Sequence, residues 1–277
     1  GQGFKHPSGE SRASLARIAT LSKALSLYFE GWVGEICTQM NREHIATVDE
    51  HIETNDDAKN SNRKIDVEGI YAVYSGGDDL FIVGRWDILP KIAQWIHDDF
   101  AEYACHNSQV HISAGITLHK AKYPLYLAAD DAAGALDMAK GINDGKNAIT
   151  FLGESIKWSD WGDVIGLRDE LQSLLDIRVG DKRVVDKSLL QLILHFYDQY
   201  EETRKANRMT KLGNQQIVWG AWMWRSAYQF SRLAERIRDS TAKPRIRAIQ
   251  NELLNKPQLI ATAARWTEAL NRNNKEE

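Results

Sequence analysis

The sequence is poor in several of the residues that narrow a protein's class most quickly. It holds only 2 cysteines, Cys37 and Cys105, too few for a thiolate zinc site or a disulfide framework, so both read as reduced fillers. With 5 prolines in 277 residues, and 26% charged against 43% apolar side chains, it has the balance of a globular protein rather than a fibrous or disordered one. No apolar run approaches the roughly 18 residues that cross a bilayer, and the first residues show no basic-then-apolar order of the kind a secretory leader has. A cytoplasmic protein without membrane contact is the expectation. Internal repeats are absent too.

Net charge is small, −3 overall, but it is unevenly placed. Residues 1–153 hold 14 Lys+Arg against 21 Asp+Glu, a net −7, whereas residues 154–277 hold 21 against 17, a net +4. An acidic half suits a metal site. A mildly basic half suits RNA or an acidic partner subunit, and solvated helix faces account for it equally well. The length allows two domains, each with its own core.

Hydrophobic spacing supplies the organisation. Leu15, Ile18, Leu21, Leu25, Phe29, Val33 and Ile36 recur every three or four positions, which predicts one long amphipathic helix from Ser11 to about Arg42. Residues 49–64 are polar and turn-rich and read as a surface loop. Ile65 to Tyr74 and Leu80 to Val83 are β-branched and aromatic runs on either side of Ser75-Gly76-Gly77-Asp78-Asp79, a pattern that predicts a hairpin of two buried strands. A helix over about Trp86–Ala104, a strand over Val110–Thr117, a helix over about Leu125–Lys140 and a short strand over Ala148–Leu152 follow. Beyond Gly153 no further strand is expected. Helices are read at Val184–Ala206, Gln215–Ser240 and about Pro257–Leu270. The fold expected is therefore α+β over residues 1–153, then an all-helical bundle over 154–277.

Chemistry concentrates at the hairpin tip. Two glycines let the backbone turn sharply, and two adjacent aspartates stand between apolar strands. Hard divalent cations such as Mg²⁺ or Mn²⁺ prefer carboxylate oxygens, and two of them about 4 Å apart can clamp a triphosphate while activating a 3′-hydroxyl. An ordinary Gly/Asp-rich turn has the same composition. Further along, Ala139-Lys140-Gly141-Ile142-Asn143-Asp144-Gly145-Lys146-Asn147 leaves a helix and enters a strand with two ammonium groups. Such lysines hold phosphate oxygens, or simply complement a helix C-terminus. Small residues along Ser14-Leu15-Ala16-Arg17-Ile18-Ala19-Thr20-Leu21-Ser22 let a flat ligand or a neighbouring element pack closely. His97-Asp98 is a single dipeptide and lacks the further histidines a phosphohydrolase needs. Trp219, Trp222 and Trp224 can stack bases, although helical spacing favours packing against a neighbouring helix or subunit.

In this order, the segments Leu15–Ser22, Tyr74–Gly84, Ile112-Ser113-Ala114-Gly115-Ile116 and Gly145-Lys146-Asn147-Ala148-Ile149-Thr150 resemble the large subunit of type III CRISPR interference complexes, the subunit that makes cyclic oligoadenylates. The resemblance spans most of residues 12–153, and the tail shares only position and helicity with that family's last domain. It implies a ferredoxin-like nucleotide-cyclase palm whose metal ligands are Asp78 and Asp79. It further implies nucleotide binding around Ser75, Gly76 and Gly77, with Ser22 near the adenine and Lys140 or Lys146 on the triphosphate. The lysine loop is longer than the compact form of related cyclases, which favours Lys146. ATP is the implied substrate, joined 3′ to 5′ and cyclised in an antiviral complex. The implied partners are guide RNA, target RNA, a small helical subunit and other CRISPR-associated subunits. A palm of this class also begins with a strand bearing another metal-binding aspartate, expected ahead of Gly1. Two other functions stay open. One is a scaffold that keeps the motif without the activity. The other is a diguanylate cyclase, from which the chain departs in having Leu80 after the acids where those enzymes have phenylalanine.

Overall fold

The computed structural model describes residues 15–42, 69–77, 79–120, 122–142, 146–207 and 218–273. The polar loop expected at 49–64, the first residues of the expected strand at 65–68, and Asp78 lie outside them. The chain divides into two compact units, Gly1–Ile112 and Ser113–Glu277. The architecture is α+β and mostly helical.

The first unit opens with helix α1 (Leu15–Ser26), a π-helical turn (Leu27–Trp32) and a further helix α2, residues 33–42. Where a single long α-helix was expected, the N–H of Val33 reaches back five residues to the Tyr28 carbonyl. Such one-turn π insertions are rare and cluster at functional sites. Tyr28 and Phe29 both turn inward there and join Val33, Ile36 and Cys37. Strands β1 (Ile70–Gly76) and β2 (Asp79–Gly84) form an antiparallel hairpin, and α3 (Leu89–Tyr103) follows. Ile88, Ile92, Ile96 and Phe100 present α3's apolar face to the same core. Edge-on rings of Tyr28 with Phe29 and Phe100, at 5.2 and 5.1 Å, lock the junction in the geometry aromatic quadrupoles favour.

The hairpin departs from expectation in one respect. Its strands are not buried on both faces: Tyr71, Val73 and Tyr74 are exposed while Ile70 is buried. The pairing register shifts between Ala72 and Tyr74, so Val73 is the extra residue of a bulge. Bulges re-aim side chains and end the simple alternation, which is why an unbroken apolar run does not produce two covered faces.

In the second unit β3 (Ala114–Ile116) pairs parallel with β4 (Ala148–Phe151) across helix α4 (Leu125–Lys140), and β4 pairs antiparallel with β5 (Glu154–Lys157). The β4–β5 turn is Leu152-Gly153 with φ of +52° and +83°, the doubly left-handed conformation of a tight hairpin. β5 continues directly into α5 (Trp158–Asp176). A minimal hairpin, β6 (Arg178–Val179) and β7 (Lys182–Arg183), precedes α6 (Ser188–Asn207), α7 (Ala221–Arg236), α8 (Ala242–Asn255) and α9 (Pro257–Asn273). The expectation of no strand beyond Gly153 is thus corrected by β5, β6 and β7. All three are short and lack the β-branched runs by which strands are read.

Residue 153 falls in the β4–β5 turn, and the bundle packs on the sheet at that point. Phe151 of β4 meets Trp161 of α5 and Trp266 of α9 edge-on at 5.9 and 5.1 Å, while the two indoles stack at 5.6 Å. Each of these buried rings contributes on the order of 2–3 kcal/mol through burial. Glu154 of β5 adds an ion pair to Arg265 of α9 at 2.8 Å. Tyr197 of α6 lies beneath the Arg265 guanidinium at 5.4 Å, and burial, with Glu154 close by, pushes its phenol far above the usual range, so it stays protonated at any ordinary pH.

Close approach decides one glycine. A Cβ on Gly115 in β3 would lie 2.3 Å from the Leu136 nitrogen, 2.7 Å from the Ala132 oxygen and 2.8 Å from the Ala135 carbonyl carbon, all backbone atoms of α4 that cannot swing aside. Gly115→Ala should therefore force β3 from α4 and destabilise the protein by about 2–3 kcal/mol or more. Gly166→Ala, at a helical position with nothing within 4 Å, should stabilise it by up to about 1 kcal/mol. Denaturant unfolding of both variants checks the pair, and equal effects would contradict the packing described.

Candidate functional site

The acidic turn is built from two constraints. Gly76 pairs with Asp79 as the last rung of the hairpin, leaving a two-residue connection that starts at Gly77 with φ +67°, the left-handed start that primed hairpin turns need. At Gly76 a Cβ would meet only the Tyr74 hydroxyl, at 2.9 Å, the far end of an exposed side chain that can swing aside. The second constraint is Ser75, whose hydroxyl donates to the carbonyl of Phe29 inside the π-helical turn. The hairpin tip is thereby tied to the one place where the helix leaves α geometry.

Asp79 emerges from this frame exposed, and among the described residues it forms no ion pair. A solvent-facing, unpaired carboxylate on a glycine turn is the kind of hard oxygen donor a divalent cation takes. Among the described residues no group of three or more His, Cys, Asp or Glu side chains is arranged to hold a metal; Asp78 is outside that set. Ser22 is exposed on α1 in the same unit. Of the residues expected at the site, Ser22, Ser75, Gly76, Gly77 and Asp79 share the first unit. The hydroxyl proton of Ser75 is engaged by Phe29 and gives that residue an anchoring role at the turn.

Lys140 and Lys146 belong to the second unit and flank one loop. Lys140 closes α4, and the next N–H, of Gly141, bonds the Asp137 and Met138 carbonyls at 3.0 and 3.2 Å, as a capped helix end does. Lys146 is exposed and has φ +48°. Its carbonyl accepts the Ser113 hydroxyl, and the carbonyl of its neighbour Asn147 accepts the Trp158 N–H at 3.3 Å.

Other expected features resolve differently from one another. Trp222 is buried, donates to the Val218 carbonyl at 3.1 Å and stands edge-on to Tyr200 at 5.4 Å. Trp219 and Trp224 are 70% and 64% exposed, so packing within the chain accounts for only one of the three. The His97 ring pairs with Asp98 at 2.8 Å on α3. Cys37 is buried in the first core, and burial raises its thiol pKa, whereas Cys105 is exposed. No described helix is long and apolar enough to cross a membrane.

Residues 1–150 match the family Cas10/Cmr2, second palm domain. The chain belongs to this family. A Methanocaldococcus jannaschii protein described as the CRISPR system single-strand-specific deoxyribonuclease Cas10/Csm1 of subtype III-A is 31% identical over 140 residues, 50% of this chain and 15% of that one. The Mycobacterium tuberculosis protein of the same description is 24% identical over 217 residues, 76% and 25% of the two chains. This chain thus spans a quarter or less of either relative. Among solved structures, the Csm1–Csm4 cassette in complex with cA4 superposes with TM-score 0.57 at 20% identity over 91% of this chain and 33% of the other. The same cassette with one ATP gives 0.56 at 20% identity over 93% and 33%. The Cas10/Cmr2 palm and the helical region after it therefore have the Csm1 fold.

The Ser75 link is open to measurement. Ser75→Ala should cost about 1 kcal/mol and raise amide exchange in β2, with Ser75→Thr close to wild type. Unchanged exchange at Leu80 and Phe81 in the alanine variant would show that the tip is held by other means.

Proposed function

We propose that this chain is the cyclase palm and C-terminal helical region of a type III CRISPR effector's large subunit, and that it joins ATP into cyclic oligoadenylate when target RNA occupies the assembled complex. One observation carries most of the weight: a family-typical pair of adjacent acids sits on a glycine turn that the π-helical turn holds in place, with Asp79 exposed and unpaired among the described residues. Membership of the Cas10/Cmr2 palm family supports it. So does the likeness to a Csm1–Csm4 cassette whose structures contain ATP and cA4.

In this reaction a ribose 3′-oxygen attacks the α-phosphorus of a second ATP. A P–O bond forms, pyrophosphate leaves with the other P–O electron pair, and the hydroxyl proton passes to solvent. Magnesium held by Asp78 and Asp79 would supply the charge that acidifies the hydroxyl and neutralises the phosphates. Gly77, around which nothing lies within 4 Å of a would-be Cβ, leaves backbone that phosphates can approach. Ser75 keeps the turn in register with the helix, and Ser22 lines the adenine side. Lys146, in preference to the capping Lys140, meets the triphosphate as a point charge. Residues 1–153 form the catalytic domain and 154–277 the helical domain facing the small helical subunit. Guide and target RNA are held by the complex as a whole, in the cytoplasm.

Asp78→Ala with Asp79→Ala, in the assembled effector supplied with target RNA, Mg²⁺ and ATP, should remove oligoadenylate by at least about a hundredfold while guide RNA and subunits stay bound. Chromatography of the products measures it. Undiminished synthesis by the double variant would overturn the proposal, silence of the wild type would leave the scaffold function, and preference for GTP would indicate a diguanylate-type cyclase.

A further inference from the structure

Helix α7 buries Trp222, Ser226, Phe230 and Ala234 and turns Trp224 and Tyr228 outward, 64% and 54% exposed. At (i, i+4) spacing the two rings share one helix face. Each carries a guanidinium: Arg225 lies over Trp224 at 5.4 Å from the ring centroid, and Arg232 over Tyr228 at 5.6 Å, with its Nη1 donating to the phenol oxygen at 3.2 Å. An open cleft of about 420 Å³ runs between this face and α6, lined by Trp224, Arg225, Tyr228 and Gln229 on one side and by His195 and Gln199 on the other. The Gln199 amide nitrogen meets His195 Nε2 at 2.8 Å. With the amide donating, the imidazole keeps its proton on Nδ1, so the cleft wall retains an N–H donor there and a carbonyl acceptor on Gln199.

Charge decides what such a face can take. Residues 224–247 hold 7 Lys+Arg against 2 Asp+Glu, a net +5. Elsewhere in the unit Arg204, Arg245 and Arg265 are paired with Glu201, Glu170 and Glu154, whereas Arg225, Arg232 and Arg236 form no ion pair among the described residues. Unpaired guanidiniums beside exposed rings match a ligand that has both anionic groups and flat faces. An amphipathic partner helix would need aliphatic contacts instead, and α7 exposes no aliphatic side chain larger than alanine.

We propose that this face of α7, with the cleft it forms with α6, binds single-stranded RNA. Unpaired bases stack on Trp224 and Tyr228, while Arg225, Arg232 and Arg236 meet the phosphates. His195 and Gln199 meet a ribose 2′-hydroxyl, which both donates and accepts a hydrogen bond. The site lies wholly within the second unit and is independent of the acidic turn, so this inference and the cyclase proposal fail separately.

The test titrates a fluorescein-labelled oligouridylate of about ten nucleotides with the purified chain and follows its anisotropy, with melting curves confirming that every variant is folded. Trp224→Ala and Tyr228→Ala are each expected to weaken binding by about tenfold, and Trp224→Phe should retain most of the affinity. Arg232→Ala with Arg236→Ala should lower the slope of log Kd against log salt by about 1 to 2. Trp219→Ala removes a similarly exposed ring that does not line the cleft and should bind as wild type does. The DNA strand of the same length, lacking the 2′-hydroxyl, and an RNA duplex, whose bases are already stacked on one another, should both bind more weakly. The inference is overturned if the chain does not bind the RNA strand, if Trp224→Ala and Tyr228→Ala bind it like wild type, if Trp219→Ala costs as much as Trp224→Ala, or if DNA or duplex binds as tightly. Loss of a protein subunit from the effector on Trp224→Ala, with RNA binding intact, would make the face a subunit contact and overturn it as well.

Discussion

The hydroxyl of Ser75 gives its proton to the carbonyl of Phe29, and the placement of the acidic turn depends on this contact. The hairpin is not a fully buried element that packing alone would immobilise, since Tyr71, Val73 and Tyr74 face outward and a bulge interrupts the ladder. Its inner edge is held by Ile70 in the core and by the Asn41 amide, which donates to the Ile70 carbonyl at 3.0 Å. At the far end, where the acids are, the Ser75 bond adds to the packing of Leu80 against the same core. The helix receives this bond at its π-helical turn, where the departure from α geometry also turns both Tyr28 and Phe29 into the aromatic core. Helix irregularity, core packing and turn position are one connected arrangement.

The second unit uses the same economy with different parts. A three-stranded sheet of short strands would be marginal alone. It is stabilised by α4, which Gly115 allows to come within backbone contact, and by α5 and α9, whose Trp161 and Trp266 close over Phe151. Polar contacts seal the seam: Arg265 reaches both the Glu154 carboxylate and the Leu152 carbonyl, and Arg245 clasps Glu170 at 2.6 Å. The outcome is a rigid edge from which Lys146 projects in an unusual conformation. In both units a short side-chain hydroxyl fastens the backbone next to a charged group, Ser75 near Asp79 and Ser113 at Lys146.

Much of this was legible in the residues. The helix at Leu125–Lys140 and the strand at Ala148–Phe151 follow directly from spacing, and the glycine-acid turn was visible because Gly and Asp between two apolar runs have few other uses. Other parts were hidden for physical reasons. Helix α5 alternates its buried Trp161, Val164 and Leu171 with Gly162, Gly166 and several charges, so its period is blurred. The break between α7 and α8 is made by Asp239, whose carboxylate accepts the Thr241 and Ala242 N–H groups; an Asp-Ser-Thr-Ala run ahead of Ile246, Ile249 and Leu253 was the available signal. A π-helical turn leaves almost no trace in spacing, and a serine anchor cannot be told from a serine ligand without its partner in view. Family resemblance located the site residues, but only coordinates show that the hydroxyl of Ser75 points at a carbonyl.

The most direct measurement is cation-dependent nucleotide binding by the assembled protein, followed by calorimetry with ATP in the presence and absence of Mn²⁺. With the acidic turn as the cation-gathering element, Mn²⁺ should tighten ATP binding by about tenfold or more, and Asp79→Asn should abolish that enhancement while leaving the cation-free affinity unchanged. ATP affinity indifferent to the cation, or an enhancement that survives Asp79→Asn intact, would contradict it.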